Sequence, residues 1–301
     1  MRAPSNGKPK RAVKPALSRH PYVWSIGIYA GESPFKLAPS TEIRNPVLSY
    51  LDVSDVPAAF VADPFMLRAD GHWHMFFEVM NSRSRKGEIA LALSRDGLRW
   101  DYRQIVLDEP FHLSYPYVFE WRGEHYMIPE TLPQRSVRLY RADPFPTQWT
   151  FVKNLIDGEY ADPSVFYFKK RWWMFACATP FQHDMLRLYF ADDLLGRWRE
   201  HPSSPIISGN QRIARPGGRV VVIDGHPVRF TQDCYPTYGS QVRAFEINAL
   251  TPKLYSEREV KDSPVLKASG KGWNRSGMHT LDPHPTEKGG WIACVDGVAR
   301  V

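Results

Sequence analysis

The sequence predicts an all-β chain: a five-bladed β-propeller whose ring is closed by an N-terminal strand. Three observations carry that expectation. An X-Pro step recurs five times, in Ala62-Asp63-Pro64-Phe65, Ser114-Tyr115-Pro116-Tyr117, Ala161-Asp162-Pro163-Ser164, Ala214-Arg215-Pro216-Gly217 and Leu281-Asp282-Pro283-His284. Trp100, Trp149 and Trp198 close the first three units, 49 residues apart each time. Between these markers lie short apolar runs separated by turns, four to a unit of roughly 50 residues, the pattern of propeller blades.

The elements follow in order. The first unit continues from Pro64 into Trp73-His74-Met75-Phe76-Phe77, a run of strand length and β composition. Leu91-Ala92-Leu93-Ser94 is its third strand, followed by an Asp96-Gly97 turn and Trp100. The second unit repeats this with His125-Tyr126-Met127-Ile128, Leu139-Tyr140-Arg141-Ala142 and Trp149. The third has Trp172-Trp173-Met174-Phe175, Leu188-Tyr189-Phe190-Ala191 and Trp198. The fourth offers Val242-Arg243-Ala244-Phe245-Glu246-Ile247 and then Tyr255. The fifth reaches Trp291-Ile292-Ala293-Cys294-Val295-Asp296 and then the sequence ends. Its outer strands must come from elsewhere, because an unpaired edge invites association. Trp24-Ser25-Ile26-Gly27-Ile28-Tyr29 alternates like a strand and is expected to complete that blade.

A chain of 301 residues exceeds the usual single core, so it is two domains or one large repetitive one; the repeat selects the second. Residues 22–301 are expected to form this domain and residues 1–21 a disordered basic tail. The net charge of +7 belongs mostly to that tail, since Arg2, Lys8, Lys10, Arg11, Lys14 and Arg19 precede the first acid, Glu32. The near-neutral body gives no support to a nucleic-acid interface. No apolar stretch approaches membrane-spanning length. Cys177, Cys234 and Cys294 are odd in number and far apart, so they form neither a disulfide framework nor a metal motif. With no apolar signal segment visible, a cytoplasmic monomer is expected.

In a propeller the first strand of each blade lines the channel and the second returns to the same mouth. The residues before the five prolines are therefore expected near the axis: Asp63, Tyr115, Asp162, Arg215 and Asp282. Counting along the hairpins adds Glu78, Glu130 and Gln232 to the same rim. Carboxylates gathered at one mouth repel and separate their pKa values, which is what acid/base cleavage of an acetal needs. An Asp-Pro can also simply cap a turn. Arg215 either grips an anionic substrate group or neutralises the rim acids internally.

The repeat resembles the five-bladed propeller glycosidases: arabinanases, β-xylosidases and α-arabinofuranosidases. The resemblance implies Asp63 as catalytic base and Asp162 as the residue that tunes the acid. The acid itself is a glutamate of a later blade in those families. Arg215-Pro216-Gly217 replaces it here, so Glu130 is taken as the acid instead. Glu78, Tyr115, Arg215, Gln232, His279 and Asp282 are expected to bind substrate. The resemblance also implies an axial Ca²⁺ or water near His279; no other cofactor is expected. A narrower resemblance rests on His112-Leu113-Ser114-Tyr115-Pro116-Tyr117-Val118-Phe119-Glu120, Tyr126-Met127-Ile128-Pro129-Glu130 and Leu139-Tyr140-Arg141-Ala142. These segments are similar to the N-terminal propeller domain of plant glucosamine inositolphosphorylceramide transferases and its bacterial stand-alone relatives, over residues 22–298. The expected function is a glycoside hydrolase or transglycosylase acting on a glycan or glycosylated metabolite, the alternative a non-catalytic glycan-binding propeller.

Overall fold

The computed structural model describes residues 21–300, so the expected tail falls outside the described residues except for Pro21. Twenty-two strands form five antiparallel sheets, the five blades of the ring. Blade I comprises Ala58–Ala69, His72–Asn81, Lys86–Ser94 and Asp101–Leu107. Blade II comprises Ser114–Trp121, Glu124–Glu130, Ser136–Ala142 and Trp149–Asp157. Blade III runs Ala161–Phe168, Arg171–Cys177, Leu186–Ala191 and Arg199–Glu200. In blade IV the inner strand is split into Arg215–Pro216 and Val221–Ile223, followed by His226–Asp233, Gln241–Leu250, Tyr255–Glu259 and the short Leu266–Lys267, which also pairs with Gln241–Leu250. Blade V takes Leu281–Pro285 and Trp291–Arg300 from the C-terminal end and Tyr22–Ser33 and Lys36–Pro39 from the N-terminal end. Trp24 faces Val298 and Tyr29 faces Ala293 in that ladder, so the N-terminal strand closes the ring as expected.

Burial explains the sequence pattern. An inner blade strand is covered on both faces by neighbouring blades, so it reads as a continuous apolar run. His72–Asn81 is buried from His74 through Val79, whereas the outer strand Asp101–Leu107 is exposed or half-buried until Leu107. Rings interlock across the blade interfaces: Phe65 meets Tyr115 edge-on at 4.7 Å, and Trp121 meets Trp172 at 4.9 Å. The evenly spaced tryptophans do one job three times. Each indole N–H donates to a carbonyl of its own turn: Trp100 to Gly97 at 3.0 Å, Trp149 to Pro146 at 3.0 Å and Trp198 to Leu194 at 3.1 Å.

The X-Pro repeat resolves into two kinds. In blades I, II and III the ladder slips at the proline, between Ala62 and Phe65, Ser114 and Tyr117, and Ala161 and Ser164. Proline cannot donate to the ladder, and a bulge accommodates it. The residue before it turns left-handed: Asp63 at φ 53°, Tyr115 at 48° and Asp162 at 51°. Blades IV and V pair without a slip there.

Candidate functional site

At the mouth, the second strands of blades I, II and IV set Glu78 opposite Ala62, Glu130 opposite Ser114 and Gln232 opposite Arg215. These rim positions agree with the hairpin count. Blade V differs in register. Asp282 pairs with Cys294, two residues short of the strand position that matches Glu78, so Asp282 lies one step inside the channel rather than at the rim. There it accepts Arg219 Nε, His284 Nε2 at 3.0 Å and the Met66 amide at 2.6 Å. Burial works against its charge, but Arg219 and His284 hold its carboxyl below the usual range. Arg219 also donates to the Val118 carbonyl and lies over Tyr117, so this ion pair plugs the channel. The rim acid of blade V is instead Asp296.

Asp296 accepts four donors. Its Oδ1 takes the amides of His279 at 3.1 Å and Thr280 at 2.9 Å; its Oδ2 takes the Asp63 amide at 3.0 Å and faces His279 Nδ1 at 2.7 Å. His279 stacks on Trp24 with centroids 3.9 Å apart. Its Nε2 lies 3.8 Å from Asp63 Oδ1, which accepts Thr280 Oγ1 at 2.8 Å. Burial disfavours the imidazolium, but Asp296 and Asp63 outweigh it and raise the His279 pKa. Asp63, His279 and Asp296 are the one trio of metal-type ligands gathered among the described residues. They do not fit the axial Ca²⁺ implied by the resemblance. The Asp296 lone pairs are already engaged, and a hard cation prefers six to eight oxygens over an imidazole. The His279 ring itself stands between the two carboxyls, its Nδ1 on Asp296 and its Nε2 towards Asp63.

Across the mouth, Arg215 gathers the other acids. Its Nε donates to Asp162 Oδ2 at 2.6 Å, and its Nη2 to Asp162 Oδ1 and Glu130 Oε2, both at 3.3 Å. Its Nη1 donates to the Pro180 carbonyl at 3.0 Å and to His183 Nδ1 at 3.1 Å. Gln232 Nε2 adds bonds to Asp162 Oδ2 at 2.6 Å and to the Pro216 carbonyl at 2.9 Å. Of the two roles open to Arg215, the geometry takes that of internal counter-ion. Glu130 also accepts the Asp162 amide at 3.2 Å. It is thus engaged by a guanidinium and an amide, rather than facing open space as the acid expected there would. Tyr115 is fully buried; its hydroxyl accepts the Gly218 amide at 2.6 Å and meets Ser164 Oγ at 2.9 Å. It ties three blades together and presents no hydroxyl to the mouth.

The electrostatics single out Glu78. Burial pushes its carboxyl well above the usual range, and the nearby Asp63, Glu130, Asp296 and Asp162 push further. Among the described residues it accepts no hydrogen bond; His112 Nε2 stands 3.6 Å away, and burial keeps that imidazole below its ordinary value. Burial raises Asp63 to about 6 against the pull of His279, and raises Asp162 to about 7 against the pull of Arg215. Tyr238, on the loop after Asp233, covers the site: its ring lies 5.1 Å from the Arg215 guanidinium carbon and edge-on to His279 at 5.3 Å.

Asp296, Thr280, Trp24, His183 and Tyr238 escaped the sequence reading. Asp296 alone left a signal, standing five residues after Trp291 as Glu78 stands five after Trp73. The other four meet the site only through the fold.

Solved structures share the architecture. A candidate glycoside hydrolase from Parabacteroides distasonis superposes with a TM-score of 0.62 at 14% identity, covering 88% of this chain and 98% of its own. An exo-β-1,3-galactanase from Clostridium thermocellum gives 0.59 at 14% identity over 79% and 61%. At such identities the likeness establishes the propeller fold. Sequence relatives are nearer. Glucosamine inositolphosphorylceramide transferase 1 of Oryza sativa subsp. japonica is 36% identical over 296 residues, covering 91% of this chain and 40% of its own length. The protein of that name from Arabidopsis thaliana is 34% identical, covering 91% and 39%. The chain therefore spans about two-fifths of the curated relatives it matches. Residues 20–298 match the family model for the N-terminal region of glucosamine inositolphosphorylceramide transferase 1, and the chain belongs to that family.

Proposed function

We propose that the propeller mouth is a glycan-recognition site, binding a sugar among Asp63, Glu78 and Tyr238. The carrying observation is Arg215. It engages Asp162 and Glu130 together, so the expected tuner and acid form an ion-pair network instead of facing each other across open space. Buried networks of this kind hold a shape. What remains free is a carboxyl, Glu78, and an aromatic ring, Tyr238, the pairing that suits a sugar's hydroxyls and its apolar face. The family membership and the glycoside hydrolase-like architecture support a glycan ligand.

Hydrolysis is the second reading, favoured by one observation. Asp63 and Glu78 are neighbouring carboxyls with different surroundings: Asp63 has Thr280 and His279 beside it, Glu78 has no hydrogen bond. Such a pair separates into base and acid. Among the described residues no helix is long and apolar enough to cross a membrane.

The test screens purified protein against a panel of oligosaccharides and aryl-glycosides. Ligand binding is followed by tryptophan fluorescence and product formation by chromatography. Binding without turnover supports recognition. Turnover that Asp63→Asn abolishes selects the hydrolase. No binding by any sugar defeats both.

A further inference from the structure

Glu78 accepts no hydrogen bond among the described residues, yet one donor is held in front of it. Gly87, in the third strand of blade I, binds the loop between Leu107 and Ser114 through both of its backbone groups. Its carbonyl accepts the Leu113 amide at 3.0 Å, and its amide donates to His112 Nδ1 at 2.8 Å. A side chain at this position would forbid the approach. A methyl group on Gly87 would lie 2.1 Å from the Leu113 carbonyl oxygen, 2.8 Å from Glu78 Oε1 and 2.9 Å from His112 Cε1. The glycine therefore lets loop, imidazole and carboxyl meet at one point. Lys86 ties the same loop at the Asp108 carboxylate and the Glu109 carbonyl.

The Gly87 amide decides which proton His112 carries. An Nδ1 that accepts an N–H bears no proton, so the neutral ring carries its hydrogen on Nε2. Protonating Nδ1 would set one N–H against another, and burial together with Lys86 also opposes the imidazolium. His112 is thus a donor without charge. Its Nε2 lies 3.6 Å from Glu78 Oε1, about 0.6 Å beyond hydrogen-bond reach. That gap matches the proton state of the acid. Burial holds the proton on Glu78, and Asp63, Glu130, Asp296 and Asp162 across the mouth hold it further. A protonated carboxyl can do without this donor; a buried carboxylate in the same place cannot.

We infer that His112 is a positioning residue: its Nε2–H closes on Glu78 when that carboxyl has passed its proton to a bound sugar. The inference rests on the reading of Asp63 and Glu78 as base and acid, and adds the group that lets Glu78 act. In this step the Glu78 O–H bond breaks and its electron pair stays on the carboxylate. The proton joins the leaving oxygen as the C–O bond breaks. Asp63 takes a proton from the attacking water, so the two carboxyls hold one proton before and after. A neutral donor suits this exchange. It stabilises the carboxylate without a fixed positive charge, which would strip the proton from Glu78 beforehand.

Two NMR measurements on the intact chain test this without a ligand. The ring nitrogens of His112, assigned by their loss in His112→Gln, should show Nε2 protonated and Nδ1 bare at pH 7. The reverse tautomer, or an imidazolium, overturns the inference. The side-chain carboxyl carbon of Glu78, assigned by its loss in Glu78→Gln, is then titrated in the parent, in His112→Phe and in His112→Gln. Phenylalanine removes the donor and should raise the Glu78 midpoint by about one pH unit, roughly tenfold in proton affinity, the scale of a hydrogen bond to a charged group. Glutamine carries an N–H to similar reach and should keep the midpoint within about 0.3 of the parent. His112→Leu replaces the phenylalanine variant if that one does not fold. An unchanged midpoint on losing the donor overturns the inference, and so does an equal rise in His112→Gln, which would mark a change of packing alone. No sugar enters either measurement, so a ligand panel that defeats the glycan reading leaves both results standing.

Discussion

Replacing Arg215 by glutamine tests the internal counter-ion directly. Arg215 is 8% exposed and its guanidinium makes five bonds to groups from two other blades: Asp162 twice, Glu130, the Pro180 carbonyl and His183. Glutamine keeps much of the volume but loses the charge, leaving Asp162 and Glu130 buried against each other. Removing one partner of a buried ion pair costs about 3–5 kcal/mol, because the other charge stays desolvated. In a domain of this size 1 kcal/mol shifts Tm by roughly 2–4 °C, so the variant should melt about 6–20 °C lower at pH 7. The loss should shrink at pH 5, where Asp162, raised to about 7 by burial, takes up a proton and needs no cation. Urea unfolding at both pH values measures it. A loss below about 1 kcal/mol, or an equal loss at both pH values, would show that the network does not carry the charge balance assigned to it.

Three further outcomes follow from the same geometry. Tyr115→Phe removes the hydroxyl that receives the buried Gly218 amide at 2.6 Å, and should cost about 1–3 kcal/mol in urea unfolding. Gly218→Ala should be worse, about 3 kcal/mol or more by the same assay: Gly218 sits at φ 140°, and a methyl group would lie 1.8 Å from the Leu281 carbonyl oxygen that bridges blades IV and V. Asp63 and Asp162 are raised from 3.8 to about 6 and about 7, so between about pH 4 and 7 the folded chain holds more protons than the unfolded one. Their contribution to stability is complete below pH 4 and falls as pH rises through 7; urea unfolding of Asp63→Asn and Asp162→Asn across that range should show a flatter profile than the parent.

The blades were legible because their markers are local. A tryptophan that bonds its own turn, or a proline that forces a bulge, constrains residues a few positions away, and such constraints repeat with the unit. Ring closure was legible for a different reason: a fifth unit without outer strands requires a partner, and Trp24–Tyr29 was the free strand. The rim positions Glu78, Glu130 and Gln232 came from hairpin counting, which holds while the turn is short. Asp282 failed because the proline motif of blade V sits further along the inner strand than in the other blades: Leu281 pairs with Val295 and Asp282 with Cys294, so the rim residue is Asp296. The partners of Arg215 could not be read from spacing, since Pro180 and His183 arrive on a loop of blade III and Glu130 from blade II.

The contrast between bulged and plain blades is also what builds the site. In blades I and III the bulge turns an aspartate left-handed at the mouth and frees its amide for the previous blade's rim acid. Each of those blades therefore adds a carboxylate to the centre while occupying another as a clasp. Blade IV, without a bulge, brings an arginine to the same mouth, paired in register with Gln232. Its guanidinium offsets the charge the bulges create. Blade V, also plain, brings His279 and Thr280 to Asp296, and the N-terminal strand adds Trp24 against the imidazole. Closure of the ring and assembly of the mouth are thus one event: the strand that seals blade V also fixes the ring that faces Asp63. Blade II is the exception that leaves an opening. Its bulge carries a tyrosine, whose hydroxyl turns to Ser164 and Gly218, so no acid joins the centre from that step. The neighbouring Glu78 is left as the one rim carboxyl without a hydrogen bond among the described residues. An electrostatic site built to be self-sufficient would pair or remove that group, because a buried carboxyl without a partner destabilises the fold that holds it. Its presence points to a ligand that completes it.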